Sequence, residues 1–210
     1  MNRRDFSLLT KMISGKAGVS IQLLPAGYPP EWKADPIKKV IWYPSQYFYS
    51  DEDFGIAIHE CGHIRFSGLS KITQEDLDKF IKSQKEIGIG DFWQLVNALE
   101  DIRIEALMSK VYLGARYYFR HTALKYFATV KYREAESSLA RHYCLYFIYK
   151  YGLGEDYLKA MGLDNPKLIT AIENTEAIVP ELFDCKSSDE VVALARDKLL
   201  KYYLPLIERP

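Results

Sequence analysis

The stretch DEDFGIAIHECGHIRFSG, residues 51 to 68, decides how the rest of the chain is read. The whole protein has 4 histidines, and two of them, His59 and His63, stand four residues apart with Glu60 directly after the first. Ser50 and Asp53 have capping-box spacing at the head of the segment, and Gly68 stands where a helix would end. On a helix, residues four apart share a face with Cβ atoms about 5–6 Å apart. The two imidazoles can then converge on one ion at roughly 2.0–2.1 Å from each ring nitrogen, a spacing that suits zinc. Glu60 lies about 100° around the axis, placed for a water on such an ion rather than for the ion itself. A random ordering of this composition yields HExxH in roughly 0.005 of chains, so the pattern is read as a metal motif rather than a chance pair.

A catalytic zinc takes three protein ligands and keeps one open position. The candidate source of the third is NALEDIRIE, Asn97 to Glu105. At 100° per residue, an arc from Ala98 through Leu95, Leu99, Phe92, Val96 and Leu107 to Ile104 is nearly all apolar, with Glu100 and Arg103 inside it. A carboxylate in an apolar arc costs several kcal/mol unless it is ion-paired or metal-bound. Glu100 is therefore the first choice for third ligand, with a buried pair to Arg103 as its alternative. Asp101 is the competing ligand. It belongs to a polar stripe with Asn97 and Glu105, which is read either as the wall of the metal cleft, with Asn97 or Glu105 behind the ligand, or as a solvated face.

Composition narrows the function classes. The chain has 210 residues, 48% hydrophobic and 27% charged, with 28 basic and 28 acidic residues and no net charge. That balance carries no basic excess for nucleic acid. No run approaches the roughly eighteen apolar residues of a membrane span, and MNRRDFSLLTKMISG has no apolar stretch of secretory length. Cys61, Cys144 and Cys185 are odd in number and far apart, which reads as reduced thiols in a cytoplasmic protein.

Two β-prone runs, VSIQLLP (19–25) and KKVIWYP (38–44), flank the Pro- and Gly-rich AGYPPEWKADPI, and predict a hairpin or two strands of a small sheet. Beyond Ser50 the text is helical. A helix opened by Thr73 and Asp76 carries Leu77, Phe80 and Ile81 and stops at Gly88, and another spans Asp91 to Gly114. Further helices are expected over 115–130, 134–151, 155–161, 166–178 and 188–204, with Pro166 and the Ser187/Glu190 pair as start signals. The expected architecture is α+β, mainly α: one domain over 1–210 with a small N-terminal sheet, a helical C-terminal half, and a possible helical subdomain from about 152. Gly55 and Gly62, each costing about 1 kcal/mol in a helix relative to Ala, imply close approach of another segment, the VIWYP strand, a substrate or tight core packing.

With these residues in place, HECGH resembles the active-site helix of zincin metallopeptidases, and a Glu on a later helix would make it similar to the gluzincin branch. HExxH paired with NALEDIRIE also resembles metallopeptidase-like domains of phage proteins and of proteins carrying von Willebrand A domains, some related to cobaltochelatase subunits. The likeness covers roughly residues 38 to 108, including a strand before the HExxH helix. It implies a zincin-like fold, one zinc ion on His59, His63 and Glu100 or Asp101, and hydrolysis of a peptide or protein substrate. A partner of von Willebrand A type, or another protein, is a further expectation; nucleic acid and membrane are not expected. Glu60 would take a proton from water and pass it to the leaving amine. A drop in water pKa from about 9 to near 7 on zinc is worth about 2.7 kcal/mol toward hydroxide. His121, His142, Tyr118 and Tyr143 are available as oxyanion donors without a distinguishing pattern. The competing function is a catalytically inactive zincin-like adaptor in a larger complex.

Overall fold

A computed structural model describes residues 13, 15, 18–24, 27, 32–44, 50–83, 89–129 and 166–203. These are mainly helical with a three-stranded sheet, β1 (Ser20–Leu23), β2 (Lys33–Asp35) and β3 (Val40–Tyr43), in the order β1-β3-β2. The two β-prone runs are neighbours as read, but they pair in parallel, Ser20 opposite Val40 and Leu23 opposite Tyr43, so they do not form a hairpin. The hairpin is instead between β2 and β3, with Lys33 opposite Trp42 and Asp35 opposite Val40. Its strand β2 comes from the KAD inside the segment read as loop. The turn is set by Asp35, whose Oδ1 accepts from the backbone N–H of Ile37 at 3.0 Å and of Lys38 at 2.8 Å, the usual way an Asp side chain imitates a backbone turn. The Lys38 N–H is the largest influence holding this carboxyl below its ordinary value.

The chain divides into two compact units, Met1–Gly68 with Ile104–Thr129, and Leu69–Arg103 with Val130–Pro210. In the first unit β3 is the most buried strand, and helix α1 (Asp51–Phe66) supplies Phe54, Ala57, Ile58, Cys61 and Ile64 to the same core. Those positions fall at helical spacing on one side of α1. Ile41, Ile58 and Ile64 are fully buried, each contributing on the order of 1.5–3 kcal/mol by removal from water. Burial, reinforced by the neighbouring Glu60 charge, pushes the Cys61 thiol far up, which leaves it a protonated packing group. Met108 and, from helix α4 (Ala115–Thr129), Ala115 and Phe119 complete this core.

The second unit packs helix α2 (Lys71–Ser83) and the first part of α3 (Ile89–Val111) with the C-terminal helices. Leu77, Phe92, Leu95, Leu99, Leu182, Val191 and Leu199 are among its buried residues, and Phe80 meets Phe92 edge-on at 5.8 Å. The helix expected over 166–178 ends at Thr175; after a turn, α6 (Val179–Asp184) begins with Pro180 in its first turn, α5 being Pro166–Thr175. Proline has no N–H and clashes inside a helix, so the break falls before it. The last helical run begins as α7 (Ser188–Leu194), capped by the Ser187 side chain, which accepts from the Glu190 N–H. It passes through a wider π turn at Ala195–Leu199 into α8 (Leu200–Tyr203). The helices expected over 134–151 and 155–161, and the expected boundary from about 152, lie outside the described residues. Among the described residues, no helix is long and apolar enough to cross a membrane.

Candidate metal centre

The position of the imidazoles starts with how α1 is anchored. Ser50 caps its first turn: the Ser50 Oγ accepts from the Asp53 N–H at 3.3 Å, and the Asp53 Oδ2 accepts from the Ser50 N–H at 2.7 Å. This reciprocal pair satisfies two of the donors left open at a helix start and fixes where the helix begins. Two glycines then set its neighbours. A Cβ on Gly55 would lie 2.9 Å from the Tyr118 carbonyl on α4, and one on Gly62 would lie 3.1 Å from Met108 Cγ and 3.2 Å from Ile104 Cδ1 on α3. The close neighbours are therefore helices, neither the VIWYP strand nor an open face for substrate. At Gly62 the approach brings Glu105, next to Ile104, within reach of His59.

His59 and His63 face each other through their Nε2 atoms, 3.2 Å apart. Their ring centroids are 4.9 Å apart and the planes are nearly perpendicular, at 79°. The opposite nitrogens turn outward to partners: His59 Nδ1 to Glu105 Oε1 at 2.9 Å, and His63 Nδ1 to Ser67 Oγ at 3.0 Å. The His59 side chain is 22% exposed and that of Glu105 31%, so solvent reaches this edge of the first unit. Glu60, one residue on from His59, is buried.

The division between the two units falls inside α3, between Arg103 and Ile104. Asp101 therefore belongs to the second unit and Glu105 to the first. Asp101 Oδ2 accepts from Asn97 Nδ2 at 3.2 Å, one further turn back. Glu100, next to Asp101 and about 100° around the helix, has both oxygens engaged in the second unit. Arg103 Nε donates to Oε2 at 2.9 Å, Arg103 Nη2 donates to Oε1 at 2.6 Å, and Ser188 Oγ donates to Oε1 at 2.8 Å. Within the first unit the structure brings His59, His63 and Glu105 together; within the second, Glu100 is engaged in the ion pair that was the alternative for it.

Of the residues considered as oxyanion donors, Tyr118 packs edge-on against Phe54 at 4.7 Å, and the exposed His121 stacks on Tyr117 at 6.2 Å. Burial is the first of several influences that raise the Tyr118 hydroxyl above its ordinary value. His142 and Tyr143 lie outside the described residues. Ser67 is the residue that the sequence reading passed over. Its signal was available, a hydroxyl four residues after His63 and therefore on the same face. Comparison of the chain with models of known families, with curated proteins and with solved structures found no match.

Proposed function

We propose that His59 and His63, with Asp101, hold one divalent cation of the zinc type, and that the protein is a metal-dependent hydrolase acting on peptide bonds. One observation carries the reading: the Nε2 atoms converge while both Nδ1 atoms are turned to other partners. Two nitrogens held at roughly 2.0–2.1 Å from one ion at a tetrahedral angle stand about 3.3–3.4 Å apart, and the pair stands at 3.2 Å. The outer bond from His59 to Glu105 is of the carboxylate–histidine kind that orients metal-binding rings and raises their basicity. Asp101 is preferred to Glu100 as third ligand because the Glu100 oxygens are engaged by Arg103 and Ser188.

Zinc, when bound, would acidify a coordinated water toward neutrality and polarise a carbonyl oxygen. The remaining work falls to the chain. Glu60 follows a ligand directly and is buried, so it is the carboxylate proposed to take a proton from the attacking water and to return it to the leaving amine. Asn97 donates to Asp101 and holds that carboxylate in one orientation. We place the substrate's approach at the His59 edge, where the side chain is 22% exposed.

The test combines metal analysis with hydrolysis of a labelled peptide library. Wild type is expected to retain one zinc per chain and to cleave peptides; Glu60→Gln is expected to keep the zinc and lose at least about a hundredfold in rate, the lower end of what a general base supplies. Full activity in Glu60→Gln contradicts the role given to Glu60. Wild type that holds zinc and cleaves none of the peptides contradicts the peptidase reading.

A further inference from the structure

Away from the histidines, the first unit leaves three large apolar side chains exposed within one short stretch. Val111 is 51% exposed at the end of α3, Leu113 is 88% exposed in the turn that follows, and Tyr117 is 62% exposed on the first turn of α4. Single exposed apolar residues are ordinary, whereas a group of them marks a surface that meets something. The turn itself is fixed. The Ala115 N–H donates to the Tyr112 carbonyl at 2.9 Å, and a Cβ on Gly114 would lie 3.3 Å from Cζ of the Tyr112 ring. Tyr112 packs toward the core beneath the turn, and Leu113 is left pointing outward. The charges beside this tip have one sign. From 106 through 129 the sequence has Lys110, Arg116, Arg120 and Lys125 and no Asp or Glu, in a chain whose acidic and basic residues are equal at 28. Lys110, Arg116 and Arg120 are exposed. Arg116 and Arg120, four apart, share one row of α4. The next row holds Tyr117 and His121, whose rings stack at 6.2 Å. The carboxylate of Asp51 bears on Tyr118, on the flank of α4 that packs against Phe54 of α1.

We propose that the α3–α4 tip docks on an anionic lipid bilayer, with Leu113 and Val111 entering the acyl boundary and Lys110, Arg116 and Arg120 meeting lipid phosphates. Apolar burial and attraction to anionic headgroups add at such a surface. Tyr117 suits the level between them, because its ring can leave water while its hydroxyl stays wet. The aliphatic residues decide between a bilayer and other anionic partners. A single-stranded nucleic acid would use the stacked Tyr117 and His121 and the arginines, but it would leave Leu113 and Val111 in water. An acidic protein would need a recess shaped to receive Leu113, whereas a bilayer yields around it. Contact of this kind needs no spanning helix, and none is present among the described residues. Neither His59 nor His63 takes part, so the metal reading and this docking surface stand or fall separately.

The test is co-sedimentation of the full chain with vesicles of phosphatidylcholine alone and of phosphatidylcholine mixed equally with phosphatidylglycerol. Wild type is expected on the mixed vesicles, less so as salt is raised, and hardly at all on phosphatidylcholine alone. The pair Lys110→Gln with Arg120→Gln is expected to weaken binding about 25-fold, at about fivefold for each cation near an anionic surface. Leu113→Ser, which keeps every charge, is expected to weaken it about tenfold or more through lost apolar burial. Both sets change exposed side chains, so thermal unfolding is expected to stay as in wild type. A fluorescent single-stranded oligonucleotide is the control, and wild type is expected not to bind it. The proposal is overturned if wild type ignores the mixed vesicles, binds both kinds alike, or binds the oligonucleotide and not the vesicles. Either variant binding the mixed vesicles as wild type does would overturn it as well.

Discussion

Glu100 and Glu105 leave the same helix five residues apart and end in opposite surroundings. Glu100 is buried in the second unit, with both oxygens taken by the Arg103 fork and a third hydrogen bond from Ser188. Glu105 gives one oxygen to a histidine ring at 2.9 Å and keeps 31% of its side chain exposed. A saturated, buried carboxylate is held by its neighbours and stabilises packing, provided that no partner is removed. A partly exposed carboxylate against an imidazole contributes little to stability and orients the ring it meets. One helix thus carries a carboxylate saturated among the second unit's residues and another turned to a histidine ring of the first.

The comparison breaks most readily at Glu100. Glu100→Ala would leave the Arg103 guanidinium buried without its carboxylate, at an expected cost of about 3–5 kcal/mol in urea unfolding. Changing both partners to apolar residues, Glu100→Leu with Arg103→Met, is expected to recover most of that loss, since a buried pair often breaks even against well-packed hydrophobic residues. Glu105→Ala is expected to cost less than about 1 kcal/mol, because both members of its pair reach solvent. Equal losses at the two glutamates would erase the distinction.

The next effect is smaller and lies in how α1 is held. Gly55→Ala places a methyl 2.9 Å from the Tyr118 carbonyl, an overpacking cost of about 1–3 kcal/mol set against about 1 kcal/mol gained in helix propensity. A net fall in thermal midpoint is expected; a rise would mean that α4 yields at no cost. Smallest are the caps, which sharpen the comparison because each unit has one. Ser50→Ala and Ser187→Ala should each cost about 1 kcal/mol in denaturant unfolding. Only Ser50→Ala, at the head of the histidine helix, should also weaken zinc binding.

What could be read from the sequence was local. The Ser50–Asp53 cap and the four-residue spacing of His59 and His63 obey rules that span one helical turn, and the end of α1 near Gly68 follows from the same kind of rule. The cap at Ser187 was equally legible. The parallel pairing of β1 with β3 was not, because parallel register depends on a crossover that no short-range pattern encodes. Strand β2 was missed because three residues among prolines carry no period. At Glu100 the sequence posed the right dilemma, ion pair or metal ligand, and could not resolve it. The deciding groups include Ser188, which is 88 residues away. The partner of His59 was likewise invisible at a separation of 46 residues.

The central claim is that His59 and His63 grip one cation through Nε2, and zinc-edge X-ray absorption of the purified chain, with elemental analysis, tests it most directly. One zinc per chain is expected, with two imidazole nitrogens at about 2.0–2.1 Å, a carboxylate oxygen, and no sulfur. A chain that takes up no zinc after incubation with the metal, or one whose zinc is bound by thiolate at about 2.3 Å, would contradict the account.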